Sequence, residues 1–299
     1  DKFHATSPFN IETGKPKKEK KPDYSKVFGE KIVEMAKKDS RIVAITASMK
    51  DGTGLTKFQK EFPNRFFDIG IAEQHALGMA AGMAKEGMIP IVPIYSSFYQ
   101  RAYDQVIHDI ALQNLPVIMC VDRAGVVGAD GETHQGTLDM AFFRIVPNLT
   151  IMAPKDFKEL EDMLEFAVKL NKPVVIRYPR GGEEKTKLEK HEELKLGKAE
   201  ILKEGKDITI VAIGKRVAKA MEMAEKLKQN EIDAEVINAR FLKPLDKEII
   251  KTSIEKTKNV ITMEDGTEIN GLGTAVEELI VEENLQNIKF KKYAWPDEF

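Results

Sequence analysis

The chain has 299 residues, 42% hydrophobic and 31% charged, an ordinary globular composition with enough length for about two domains of typical size. Its 46 Lys and Arg against 48 Asp and Glu exclude a chain-wide basic field for nucleic acid or an anionic membrane, so any anion site has to be local. The single Cys120 excludes an intramolecular disulfide framework, and no apolar run reaches the ~20 residues of a membrane-spanning helix. A buried thiol in a cytoplasmic protein is the expectation, since no signal-peptide core is present either.

Residues 1–23 carry Pro8, Gly14, Pro16, Pro22 and the basic run Lys15–Lys21 without helical or strand periodicity, and read as a linker. The abrupt start at Asp1-Lys2-Phe3-His4 suggests a boundary inside a longer polypeptide. From Tyr24, helix-like and strand-like segments alternate. Val27, Ile32, Val33 and Met35 share a helix; Arg41–Thr46, Arg65–Ile69, Ile89–Tyr95, Pro116–Val121, Leu149–Met152 and Pro173–Tyr178 are short apolar runs. Helical stretches lie between them, clearest at Glu73–Lys85, Phe98–Gln113 and Phe157–Leu170. The alternation predicts an α/β domain over 24–182, with a mainly parallel sheet covered on both faces.

The stretch 183–195 loses apolar periodicity and fills with Lys and Glu, as an interdomain connector does. Ile208–Ile213, Val217–Leu227, Ala234–Ile237, Val260–Met263 and Gly273–Val281 then predict a second, smaller α/β domain over 196–299. It is expected to be incomplete, because the chain stops at Trp295-Pro296-Asp297-Glu298-Phe299, directly after a strand pattern.

Four segments carry candidate chemistry. In Gly70-Ile71-Ala72-Glu73-Gln74-His75, a carboxylate at a strand-to-helix junction is either a partly buried proton relay or a charge complementing the helix dipole; alone, the segment favours the dipole. Tyr95-Ser96-Ser97-Phe98, followed by Arg101, lies where open α/β sheets place ligands, and suits a planar polar heterocycle; taken singly, Phe98 as core and Arg101 as a surface ion-pair partner are the commoner fates. Asp122–Gly136 holds Arg123, Asp130, His134 and four glycines with little apolar material, which favours a ligand loop; its lone His lacks the ligand count of a zinc site. Arg177-Tyr178-Pro179-Arg180 ends a strand with two arginines, either phosphate ligands, with Arg180 facing Arg123, or a domain-boundary salt bridge.

Together these segments resemble the 1-deoxy-D-xylulose-5-phosphate synthases, a transketolase-like thiamine-diphosphate family, in order and spacing. Phe3-His4-Ala5 with Ser7-Pro8-Phe9 is similar to the family's interdomain linker, and Arg240-Phe241-Leu242-Lys243-Pro244-Leu245-Asp246 to its C-terminal domain. The resemblance implies condensation of pyruvate with D-glyceraldehyde 3-phosphate, with loss of carbon dioxide, for isoprenoid, thiamine and pyridoxal phosphate synthesis. It gives Glu73 the task of hydrogen-bonding the cofactor's aminopyrimidine and promoting loss of the thiazolium proton, while Phe98 stacks on that ring. Arg101, Asp130 and His134 would line the pocket for pyruvate, and Tyr95, Arg123 and Arg180 would hold the acceptor phosphate.

The family's Gly-Asp-Gly…Asn segment, which binds the diphosphate through Mg2+ in an N-terminal domain, is not found in this sequence. The chain is therefore expected to supply part of an active site, to need that missing domain as partner, to belong to a homodimer, and to be inactive or weakly active alone. The competing readings are a beta subunit of a 2-oxo-acid dehydrogenase, a split transketolase half, and a noncatalytic assembly module. The Arg123 and Arg180 pair argues against lipoyl transfer, and the presence of both Glu73 and His134 argues against loss of chemistry.

Overall fold

The computed structural model describes residues 9–14, 22–128, 130–184, 186, 188 and 191–298. The basic run Lys15–Lys21 and the linker motifs before Phe9 lie outside them.

The first half alternates as expected. Helix α1 (Tyr24–Lys38) starts where the Asp23 carboxylate accepts the Lys26 N–H at 2.8 Å, and buries Phe28, Ile32 and Val33. Strand β1 (Ile42–Thr46) is wholly buried; α2 (Thr56–Glu61) and β2 (Phe66–Asp68) follow. Helix α3 (Glu73–Lys85) and β3 (Ile89–Tyr95) come next, with the bounds that their periodicity predicts.

The stretch expected as one helix over 98–113 is instead wound in pieces: α4 (Ser96–Tyr99), a 3-10 turn (Gln100–Ala102), α5 (Tyr103–Gln105) and a π-helical segment (Val106–Ala111). The change of winding separates neighbours. Tyr99 goes to the core and donates to the Val92 carbonyl at 2.5 Å, whereas Arg101 stays more than half exposed. Strand β4 (Ile118–Asp122), α6 (Asp139–Arg144), β5 (Thr150–Met152), α7 (Phe157–Leu170) and β6 (Val174–Arg177) complete this half.

The second half contains β7 (Glu200–Lys203), β8 (Ile208–Ala212), α8 (Arg216–Lys228), β9 (Ala234–Asn238), β10 (Phe241–Lys243), α9 (Lys247–Thr257), β11 (Asn259–Thr267), α10 (Leu272–Glu282) and β12 (Lys289–Trp295). Two sheets result, in the orders β10-β5-β6-β4-β3-β1-β2 and β12-β11-β8-β9-β7. All pairings within the first sheet are parallel except the edge pair β10 with β5, and all within the second except β7 with β9. The expected α/β architecture is present, with one addition. Strand β10 leaves the second half to extend the first sheet, and carries the fully buried Phe241 with it.

The order of the first sheet brings the C-terminal ends of β3, β4 and β6 side by side, with Tyr95 opposite Asp122 and Val121 opposite Arg177. Open parallel sheets bind ligands at such ends. Cys120 is buried inside β4, where burial pushes its thiol well above the usual range.

Candidate functional site

Glu73 is the first residue of α3, and its side chain is 3% exposed. The helix dipole favours a negative charge there, as expected. One observation goes further: the buried Oε2 atom has no hydrogen-bond partner, although the Arg101 Nη1 atom approaches to 3.5 Å. An orphaned buried carboxylate oxygen costs free energy unless a ligand completes it. The residues present fit an aromatic ring that bears an N–H donor.

The Phe98 ring, on α4 and half-buried, meets the His134 ring edge-on at 5.2 Å and the Tyr95 ring at 5.6 Å. His134 ends a short 3-10 turn (Glu132–His134), with its Nδ1 atom 2.8 Å from the Thr133 hydroxyl. The loop holding it is pinched at its base: Gly125 and Gly136 exchange backbone hydrogen bonds of 2.6 and 2.9 Å. Gly136 suits this approach, because a Cβ there would stand 2.4 Å from the Arg123 carbonyl. The Gln135 amide closes the loop further, accepting from Val127 N–H at 2.8 Å and donating to the Val127 and Gly131 carbonyls at 3.0 and 2.8 Å.

Arg123, with φ of 58°, turns its guanidinium over the Tyr95 ring at 3.8 Å. Both Arg123 and Arg180 direct an Nη1 atom at the Asp130 carboxylate, one to each oxygen. The two arginines thus meet on one carboxylate, with Asp130 between them. One contact joins Glu73 to Arg101, and a second run of contacts leads from His134 through Phe98, Tyr95 and Arg123 to Asp130 and Arg180.

Arg177 behaves differently. It is 3% exposed and paired to Asp139 at 3.1 Å and to Asp265 of the second half at 2.6 Å, so of the two arginines in this segment it takes the domain-boundary role. Below the site lies a residue that the sequence did not single out as a candidate. Burial pushes the Asp122 carboxyl up to about 7, while Ser25 Oγ donates to Oδ2 at 2.8 Å. Its Oδ1 and the buried Tyr178 hydroxyl both lack partners. Only the strand-end position of Asp122 hinted at this; Ser25 carries no sequence signal. Among the described residues, no group of three or more His, Cys, Asp or Glu side chains could hold a metal ion.

A family profile for the transketolase pyrimidine-binding domain matches residues 20–183, and one for the transketolase C-terminal domain matches 197–297. The chain belongs to the transketolase pyrimidine-binding family. The transketolase-like resemblance seen in the sequence therefore holds, with the two units in the expected order. The chain is 52% identical over 302 residues to the 1-deoxy-D-xylulose-5-phosphate synthase of Natranaerobius thermophilus, covering 100% of this chain and 48% of that protein. It is 53% identical over 300 residues to the synthase of Halothermothrix orenii, covering 100% and 47%. The chain thus spans about half the length of the curated relatives it matches.

Among solved structures, a split-gene transketolase described as an inactive β4 tetramer superimposes with a TM-score of 0.84 at 34% identity, over 93% of this chain and 90% of that one. A transketolase from Campylobacter jejuni gives 0.75 at 18% identity, over 93% of this chain and 42% of that one, and shows the fold alone.

Proposed function

We propose that this chain is the pyrimidine-binding and C-terminal part of a thiamine-diphosphate-dependent transferase that condenses pyruvate with D-glyceraldehyde 3-phosphate, with decarboxylation, to 1-deoxy-D-xylulose 5-phosphate. The observation that carries this reading is the convergence of two arginines on one carboxylate, in a domain whose buried Glu73 has an oxygen without a hydrogen-bond partner. Two cations against one carboxylate leave a net positive pocket, suited to a phosphate. Transfer to a lipoyl group needs no such pocket, which sets the synthase ahead of the dehydrogenase beta subunit. The chain's pyrimidine-binding domain spans 24–182 and its C-terminal domain 196–299, joined by the connector 183–195, in a cytoplasmic setting.

When bound, the cofactor supplies the carbanion chemistry. The protein's own residues do the rest. Glu73 would hydrogen-bond the aminopyrimidine ring through its orphaned Oε2 and exchange a proton with it there, with the Arg101 guanidinium beside it. Phe98 offers a ring face to the pyrimidine; Arg101, His134 and Asp130 border the pyruvate end; Tyr95, Arg123 and Arg180 receive the acceptor phosphate. Mg2+ and the diphosphate are held by a domain outside this chain, in a homodimeric enzyme. The near end-to-end match with the split-gene transketolase favours a second reading of the organisation alone, with the complementary half on a separate polypeptide.

The test supplies the chain with pyruvate, D-glyceraldehyde 3-phosphate, Mg2+ and thiamine diphosphate, with and without the diphosphate-binding half of the enzyme, and follows product by NMR. Product is expected only with both halves, and Glu73→Gln should slow it by about 100-fold or more. Full turnover by the chain alone, or acyl transfer to a lipoyl acceptor without sugar product, would overturn the reading.

A further inference from the structure

We infer that Gly52, in the loop between β1 and α2, is a positioning residue that sets the preference for a phosphorylated acceptor: the space of its missing side chain is occupied by the Tyr95 hydroxyl, and Tyr95 in turn seats Arg123. The inference rests on the proposed phosphate role of Arg123 and Arg180.

A Cβ at position 52 would lie 1.7 Å from the Tyr95 hydroxyl oxygen, 3.0 Å from its Cζ and 3.5 Å from Arg123 Nη2. Gly52 is not among the left-handed glycines, so space and not backbone conformation excludes a side chain. Tyr95 is tied to its neighbours on more than one side. Tyr95 closes β3 in register with Asp122, leans on Phe98 at 5.6 Å, and carries the Arg123 guanidinium over its face at 3.8 Å.

The loop is held just as firmly. Thr53 directs both its N–H and its hydroxyl to the Met49 carbonyl, at 2.9 and 2.8 Å, and Leu55 N–H reaches the Lys50 carbonyl at 2.9 Å. Two residues past Gly52, Gly54 lies so close to α1 that a Cβ would come within 2.0 Å of the Ser25 carbonyl. Ser25 then closes a circuit through its hydrogen bond to Asp122, the residue before Arg123. A side chain at 52 therefore has to displace Tyr95, and with it the cation stacked on its ring. A Cβ at position 52 would meet the phosphate end of the site at these two residues, so its effect should follow the phosphate.

The test is a mutant cycle in the complete enzyme, using Gly52→Ala, Tyr95→Phe and the double variant, with D-glyceraldehyde 3-phosphate and unphosphorylated glyceraldehyde as acceptors. Gly52→Ala should lower kcat/KM for the phosphorylated acceptor by about 10-fold or more, chiefly through KM, and for glyceraldehyde by less than about 2-fold. Tyr95→Phe deletes the atom that clashes most, so the same alanine should cost at least about 3-fold less in that background. Should Gly52→Ala fail to fold, the Tyr95→Phe background is expected to restore folding, as read by thermal unfolding.

An equal alanine penalty in both backgrounds, equal losses with both acceptors, or an unfolded double variant overturns the inference. If the parent enzyme itself shows no preference for the phosphorylated aldehyde, the phosphate reading has failed and the specificity role falls with it. A parent that has the preference and an alanine variant that keeps it would condemn Gly52 alone.

Discussion

Two clusters of oppositely charged side chains in this molecule differ in balance and in burial. At the strand ends, Arg123 and Arg180 share the single carboxylate of Asp130, with side-chain exposures of 18%, 42% and 12%. Between the two halves, Lys155 and Arg240 face Glu159 and Glu200, and none of these four side chains is more than 2% exposed. The buried set is balanced, two cations to two anions, and densely bonded. Lys155 Nζ lies 2.7 Å from Glu200, Arg240 Nε 2.9 Å from Glu159, and Asn238 adds a donor to Glu159 at 3.0 Å. Burial raises the Glu159 carboxyl even so, against the pull of Lys155 and Arg240. The strand-end set is unbalanced and open to water. Balance with burial fixes one half of the chain to the other; an excess of cations within reach of solvent leaves a charge for a ligand to neutralise.

The sharpest way to break this comparison is to remove one cation from each set. Arg240→Met leaves two buried carboxylates with Lys155 as the one remaining cation of the set and should cost about 3–5 kcal/mol, read as a fall in the urea midpoint at unchanged slope. Arg180→Met loses a half-exposed pair and should cost less than about 1 kcal/mol. Equal costs would mean that the strand-end cluster is a structural bridge like the other.

Activity should show the reverse order. In the complete enzyme, Arg180→Met or Arg123→Met keeps much of the apolar stem and removes the charged fork, so kcat/KM for D-glyceraldehyde 3-phosphate should fall roughly 10- to 150-fold, the equivalent of ~1.5–3 kcal/mol. The carbon dioxide released in a single turnover with pyruvate before acceptor is added should change little. Parallel losses in both measurements would assign the arginines to decarboxylation or folding.

The same contrast explains what the sequence could disclose. Helix α3, strand β3 and helix α7 have the bounds that their periodicity predicts, α7 helped by Asp156, whose carboxylate accepts the Glu159 N–H. Strand β10 was missed because it is three residues long and its partner β5 lies far back in the chain; nothing local marks it. Helix α9 was missed although Asp246 caps it through the Ile249 N–H, a signal that stood in the sequence. The site residues were legible as types at strand ends, yet Arg177 and Arg180, three positions apart, part company where the strand stops. One ends inside the sheet on two carboxylates, the other in the following turn beside Asp130. Gly52 and Ser25 were not legible at all, since each matters through a residue brought beside it by the parallel sheet.

The smallest expected effect concerns Asp130, and it separates two meanings of the unbalanced cluster. If its carboxylate stands where an anion would go, Asp130→Asn removes a competitor and raises the local charge by one unit. Inorganic phosphate should then bind the chain more tightly, by about 1 kcal/mol or roughly 5-fold, since the side chains concerned are partly screened by water. Calorimetry at low and high salt is the measurement, and the gain should shrink as salt rises because the cluster is not sealed from solvent. The opposite sign has a physical meaning too. Asp130 lies in the loop that Gln135 and the Gly125–Gly136 pair close, and its two oxygens hold two arginines from different strand ends. If phosphate binding weakens in Asp130→Asn, the carboxylate organises the arginines more than it competes for them. The loop would then belong with the buried tetrad, as architecture, and the cationic excess would be a by-product of its design.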